Sequence, residues 1–261
     1  MPACLYHGDP NGPSLAVLAA LAESGLDIER RHIDLLAGER HAIPGLTQPL
    51  ARDMGIEGEG PVLVIDGEAM TESVFIAQYF DELSDLSCLQ PKDAHAHWEM
   101  MMWCRQITER LSPAAALLGN MRFSRERLAA MPDDVFAAIA GRIISDDLRA
   151  RWEMLRDGDI DPAQMEDCRT KVVQAVERCE ARLADGRAWL MGDTASIADF
   201  ETYAWLAGME EILPEAFAGK PFIAGWLERV RARPGVTAAL SAATGDPRRS
   251  WAPGPEVNRW G

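Results

Sequence analysis

The chain has 261 residues, with 41 acidic against 26 basic side chains and a formal charge of −15, which argues against a phosphate-backbone partner. No uninterrupted apolar run reaches the ~20 residues of a membrane span, and Met1-Pro-Ala-Cys-Leu5 lacks the basic and apolar regions of a secretion signal. A cytoplasmic protein with no nucleic-acid partner and no membrane span is expected. The five cysteines, Cys4, Cys88, Cys104, Cys168 and Cys179, include no CxxC pair, so free thiols are predicted. His95 and His97 are two apart and fall on different faces of a helix, so no metal is expected. The length suits two domains.

Along the chain, Cys4–His7 reads as a short strand, Ser14 to Ser24 as a helix stopped by Gly25, and Glu29 to Asp34 as a second strand. Tyr6 is expected to point into the core. Residues 36–60 are rich in Gly and Pro and read as loop, with one short helix near Gln48 to Met54. Pro61 cannot donate to a sheet ladder, so it belongs at the start of the strand Val62-Leu-Val-Ile65, often with a cis bond before it. Asp66-Gly67 is a hairpin dipeptide. Ser73 then stands as the N-cap of a helix whose apolar face is Val74, Ile76, Ala77, Phe80 and Leu83, and free amides at that helix start attract a carboxylate. The resulting order is β-α-β-α-β-β-α, the thioredoxin-like pattern.

Residues 85–93, with Pro91, read as a linker, and from Ala94 onward strand signals vanish. Helical windows follow at 94–118, 124–140, 146–157, 163–185, 197–213 and 221–241. Ser196-Ile-Ala-Asp199 has capping-box spacing, which assigns Asp199 to stability. The expected architecture is α+β: a thioredoxin-like domain over 1–84, an all-α domain over 94–245 and a tail over 246–261.

The segment Gly60 to Ser73, with Thr71-Glu-Ser-Val-Phe-Ile-Ala-Gln-Tyr-Phe80, resembles the glutathione-binding half of the glutathione transferases. Trp189 to Phe200 and Trp226 to Gly235 resemble two helix regions of the same family. The resemblance implies glutathione as cosubstrate. It also implies that Gly60, ahead of a cis Pro61, pairs through its backbone with the tripeptide's cysteine, while Glu72 and Ser73 hold its γ-glutamyl end. Three further features, Leu5–Pro10 followed by Ser14-Leu15, the segment Asp146–Gly158 and the tail Pro253–Gly261, look like the bacterial β-aryl-etherase branch, enzymes of lignin breakdown. That branch implies thiolate attack on a carbon that bears an aryloxy group beside a ketone, with release of a phenol.

Lowering a thiol pKa from ~8.5 by about two units takes roughly 2.7 kcal/mol of preferential thiolate stabilisation. One hydroxyl hydrogen bond to an anion contributes about 1.5–3 kcal/mol, and a helix N-terminus about 0.3–1. Ser14, after Pro13 at the opening of the first helix, is therefore the candidate thiolate partner, its alternative role being a simple N-cap. Met100, Trp103 and Ile107, at i, i+3 and i+7, are the candidate wall for a neutral aromatic ether, together with Pro13; such a stripe is otherwise core.

Two departures from the family pattern are Pro13, where related enzymes carry a polar group, and the acidic loop Met54 to Gly60 with Glu57 and Glu59. They motivate a second reading, a non-catalytic or weakly active subunit paired with a homologous chain. A third, a disulfide-handling protein, lacks the CxxC it needs. The resemblance further implies a dimer, of identical or homologous chains.

Overall fold

The computed structural model describes residues 3–47, 60–86 and 88–247. Strands β1 (Ala3–His7), β2 (Glu29–His32), β3 (Val62–Ile65) and β4 (Glu68–Met70) form one sheet in the order β2-β1-β3-β4. β1 and β2 are parallel, joined by the crossover helix α1 (Gly12–Ser24), whereas β3 lies antiparallel to β1 and to β4. Asp66 and Gly67 both take positive φ, 50° and 90°, as a two-residue hairpin requires. Gly25 ends α1 at φ 67°, where a side chain would be strained. Helix α3 (Ser73–Leu83) completes the domain, after the small helix α2 (Glu39–Ala42) that the loop reading of 36–60 did not anticipate. The short helix expected near Gln48 to Met54, and Glu57 and Glu59 with it, lie outside the described residues.

Tyr6 corrects one expectation. It is half-buried on the side of the sheet that carries Leu46 and Val62, and its hydroxyl accepts a 3.3 Å hydrogen bond from Arg31. Period-2 alternation sends Leu5 to the main core and therefore Tyr6 to the opposite face.

The second domain opens with one continuous helical path. Helix α4 (Ala94–Gln106) passes through a π-turn at Ile107–Leu111 into α5 (Ser112–Gly119), then through a second π-turn at Asn120–Ser124 into α6 (Arg125–Ala129). Pro113 has no N–H to give the preceding turn, and the first π-turn lies immediately before it. Expected window 124–140 is broken by Pro132 into α6 and α7 (Asp133–Ala140). The acidic first turn of α8 (Asp146–Asp157) is capped by Ser145, whose hydroxyl accepts from the Leu148 amide at 3.2 Å. Helix α9 (Pro162–Leu183) follows.

Expected window 197–213 resolves into α10 (Ile197–Leu206) and α11 (Met209–Ile212), followed by the short α12 (Pro214–Phe217). Window 221–241 resolves into α13 (Pro221–Arg231) and α14 (Pro234–Ser241), because Pro234 cannot continue a helix across Arg233.

The two domains close on α1. Ten of its thirteen residues are buried, which is why it reads apolar on every side, and it packs against α3, α10 and α14. Gly235 is the contact point with α14: a Cβ there would stand 2.7 Å from the Ala19 carbonyl oxygen. At the same crossing the Glu23 carboxylate accepts from the Gly235 amide at 3.0 Å and from the Arg233 guanidinium.

Asp199 is fully buried at the start of α10, and its two oxygens gather four donors. Oδ1 accepts from the Leu190 amide at 2.9 Å and the Trp226 indole at 2.8 Å; Oδ2 accepts from the Ser196 amide and hydroxyl, both at 2.9 Å. One side chain thus ties the segment before the helix, the helix start and α13 together. Asp199→Ala leaves those donors buried without an acceptor, each worth about 1–3 kcal/mol, so a destabilisation of about 3–5 kcal/mol is expected by chemical denaturation. Asp199→Asn, which keeps one acceptor oxygen, is expected to cost less.

Candidate functional site

The β1–α1 loop, the start of β3, the start of α3 and one face of α10 meet at a single place. Helix α1 begins at Gly12, with Asn11 as N-cap and Pro13 in the first turn, so Ser14 is a helical residue and not the cap. Asn11 caps no amide with its side chain; that side chain donates to the Pro247 carbonyl at 2.9 Å. Ser14 is 1% exposed, and its Oγ accepts from the Gly8 amide at 3.1 Å. A hydroxyl that accepts in this way retains its own hydrogen for a second partner.

Pro13 and Gly60 are neighbours, for a Cβ on Gly60 would lie 3.5 Å from Pro13 Cγ. Pro61 is buried and precedes the first ladder residue, Val62, as its missing N–H dictates. The expected cis bond is not found: no peptide among the described residues is cis, in keeping with the trans preference of X–Pro bonds where no contact reverses it.

At α3 the expectation of Ser73 as N-cap is also corrected. Glu72 is the N-cap, and Ser73 is the first helical residue. Glu72 has φ 70° and ψ 111°, a conformation that a side chain rarely adopts. The first intrahelical bond is from the Ile76 amide to the Glu72 carbonyl at 3.0 Å, so the amides of Ser73, Val74 and Phe75 have no acceptor within the helix. Three amides and the helix dipole lie at a helix start that also carries the Glu72 and Ser73 side chains. That combination can hold a carboxylate and an ammonium side by side.

Four participants escaped the sequence reading. Glu201, on α10, is 1% exposed, and one of its oxygens accepts from the Ser73 hydroxyl. Burial, opposed by that hydrogen bond and reinforced by the nearby Glu72 charge, pushes its carboxyl from an ordinary 4.5 up to about 7. The fold therefore favours the protonated form, and Glu201 withdraws stability as pH rises from about 4.5 to about 7. One helical turn on, Trp205 lays its ring against Gly12, where a Cβ would stand 3.1 Å from the indole. Arg40 is fully buried and reaches Thr71 Oγ1 at 3.4 Å, just before Glu72. Asp9 takes the Thr244 amide and hydroxyl at 2.8 and 2.9 Å and lies 3.4 Å from His32, which fastens the segment after α14 to the β1–α1 loop. For Glu201 a signal existed: a second acid, beyond the capping Asp199, inside a largely apolar helix.

Met100, Trp103 and Ile107 lie in the hydrophobic core, at 0%, 4% and 4% exposure. The Trp103 indole donates to Thr202 at 3.0 Å, and the Arg178 guanidinium sits 4.0 Å from its ring centroid. Helix α10 packs over that stripe, so it is core here and not a pocket wall. No group of His, Cys, Asp and Glu that could hold a metal occurs among the described residues.

Residues 13–87 match the glutathione S-transferase N-terminal domain, and residues 142–234 match the C-terminal domain of the same family. The chain belongs to the glutathione S-transferase family. Protein LigF of Sphingobium sp. strain SYK-6 is 28% identical over 242 residues, which span 89% of this chain and 90% of that protein. A glutathione S-transferase of Arabidopsis thaliana is 23% identical over 88% of this chain and 86% of its own length. The crystal structure of the Sphingobium β-etherase LigF superposes with a TM-score of 0.80 at 24% identity, covering 92% of this chain and 99% of that one. A transferase from Phanerochaete chrysosporium, solved with oxidized glutathione, gives 0.64 at 19% identity, covering 92% and 95%. These likenesses confirm the thioredoxin-like and all-α halves expected of the sequence.

Proposed function

We propose that this transferase binds glutathione across Gly60, Pro61, Glu72 and Ser73 and uses its thiolate to cleave β-aryl ether bonds in lignin-derived aromatic ketones. The observation that carries the reading is the LigF likeness over nine-tenths of both chains, joined to a helix start that offers donors and a carboxylate together. The γ-glutamyl carboxylate takes the α3 amides and the Ser73 hydroxyl, its ammonium takes Glu72, and the Gly60 backbone pairs with the cysteine of the tripeptide. Arg40 places a guanidinium beside Thr71, which offsets part of the negative charge that an anionic tripeptide meets.

Ser14 donates its free hydrogen to the thiolate. Sulfur attacks the carbon that bears the aryloxy group, the C–S bond forms as the C–O bond breaks, and the electron pair leaves on a phenolate that later takes a proton from water. The thiol proton goes to solvent, so the substitution is redox-neutral. A phenol with pKa ~10 leaves without strong acid catalysis, and the adjacent ketone withdraws electron density from the attacked carbon.

The alternative reading, a weakly active subunit paired with a homologous chain, is motivated by Pro13 standing where related enzymes carry a polar group. In either reading the protein works in the cytoplasm as a dimer. Sedimentation at micromolar concentration should give about twice the chain mass, or a monomer that dimerises on addition of a homologue; a monomer that cleaves aryl ethers unaided contradicts both.

Ser73→Ala is expected to weaken glutathione by more than about 1 kcal/mol by calorimetry, through loss of a charge-assisted hydrogen bond. Absence of glutathione binding to the parent at millimolar ligand would remove the site. Ser14→Ala is expected to lower the rate of aryl-ether cleavage roughly 10- to 100-fold, raise the apparent pKa of bound thiol and leave glutathione affinity nearly unchanged. An unaltered pH–rate profile in that variant takes Ser14 out of the mechanism.

A further inference from the structure

Ser73 has one hydroxyl hydrogen, and two carboxylates compete for it. One is the glutathione carboxylate proposed above; the other is Glu201, which already holds that hydrogen in the free protein. Glu201 is 1% exposed and its second oxygen, Oε1, has no hydrogen-bond partner among the described residues. No ion pair with Glu201 occurs among them either. A buried carboxyl with an orphaned oxygen is a poor anion and is favoured in its protonated form.

We propose that Glu201 is a positioning residue for the γ-glutamyl carboxylate: in its neutral form it donates its own hydrogen to the Ser73 oxygen and so turns the Ser73 hydroxyl outward to the ligand. The inference rests on the glutathione reading of this site and adds a group that reaches the ligand only through Ser73. When Glu201 is ionised, the hydroxyl is drawn inward and a second negative charge stands behind the ligand carboxylate. Binding of glutathione is therefore coupled to uptake of a proton.

The surroundings agree with this sign. From α3 the group that acts on Glu201 is Glu72, whose charge opposes ionisation. On α4 it is Glu201 that acts on Cys104, a buried thiol held well above its ordinary range by burial and by Glu201 and Asp199. Asp199, on the same helix, is occupied by its four donors. The titratable group of α1, Glu23, is engaged by Arg233, and on α11 Glu210 is engaged by Arg231 of α13. Helix α5 offers no titratable side chain, and Glu109 of the first π-turn pairs with Arg105.

The probe is S-methylglutathione, which has no thiol to titrate, and the measurement is its Kd by calorimetry from pH 5.5 to 8. With a Glu201 carboxyl near 7, Kd is expected to weaken about tenfold between pH 6 and pH 8. Glu201→Gln, whose amide also donates to Ser73 but cannot ionise, is expected to show a flat profile and to bind about tenfold more tightly than the parent at pH 8. Parent protein titrated at pH 7.5 in buffers of different ionisation enthalpy should take up between about half and one proton, a readout that needs no variant. A pH-independent Kd in the parent overturns the inference, as does the same slope in Glu201→Gln. Failure of the parent to bind the probe at any pH overturns the glutathione site, and this inference falls with it.

Discussion

Everything in this molecule is arranged around a helix that neither domain can do without. Helix α1 is a crossover of the thioredoxin-like sheet, yet it is buried against α10 and α14 of the other domain as thoroughly as against α3 of its own. Its close approach to α14 is possible because residue 235 has no side chain, and the polar Glu23 at its far end is satisfied there by an amide and a guanidinium. The opposite end of α1 carries Pro13 and Ser14. A rigid body shared by two domains thus fixes the loop that carries Pro13 and Ser14, and the flanking contact of Trp205 with Gly12 sets its distance from α10.

Much of this was legible in the sequence, because several features have purely local causes. Asp66-Gly67 had to turn, Gly25 had to stop a helix, and Ser196 with Asp199 had to start one; each does so. The misjudged positions are those where a distant contact decides. Local preference places the N-cap at Ser73, since Glu seldom takes positive φ, yet the fold holds Glu72 there and makes Ser73 helical. Met100, Trp103 and Ile107 have the spacing of a wall or of a core, and only the packing of α10 distinguishes the two. Glu201 meets Ser73 across 128 positions of sequence, a separation over which no periodicity speaks.

The proposed site offers a way for an acidic protein to hold an anionic tripeptide. With a formal charge of −15 the long-range field does not draw such a ligand in, so affinity must come from donors at contact distance. Backbone amides at a helix start are suited to this, because they present partial positive charge without a side chain that must be ordered. In that proposal Glu72 is useful where it stands, for the γ-glutamyl end is a zwitterion and needs both signs within a few ångströms.

The two π-turns between Ala94 and Ala129 bear on how this helix can change over evolutionary time. Each is equivalent to one extra residue absorbed into an otherwise α-helical path, and each residue of an α-helix turns the chain by about 100°. Deleting a single residue within 107–111 would restore regular winding and leave the later side chains of α5 and α6 facing their present neighbours. A change of one residue in length, which elsewhere in a helix would rotate everything downstream by about 100°, is therefore absorbed at these two turns.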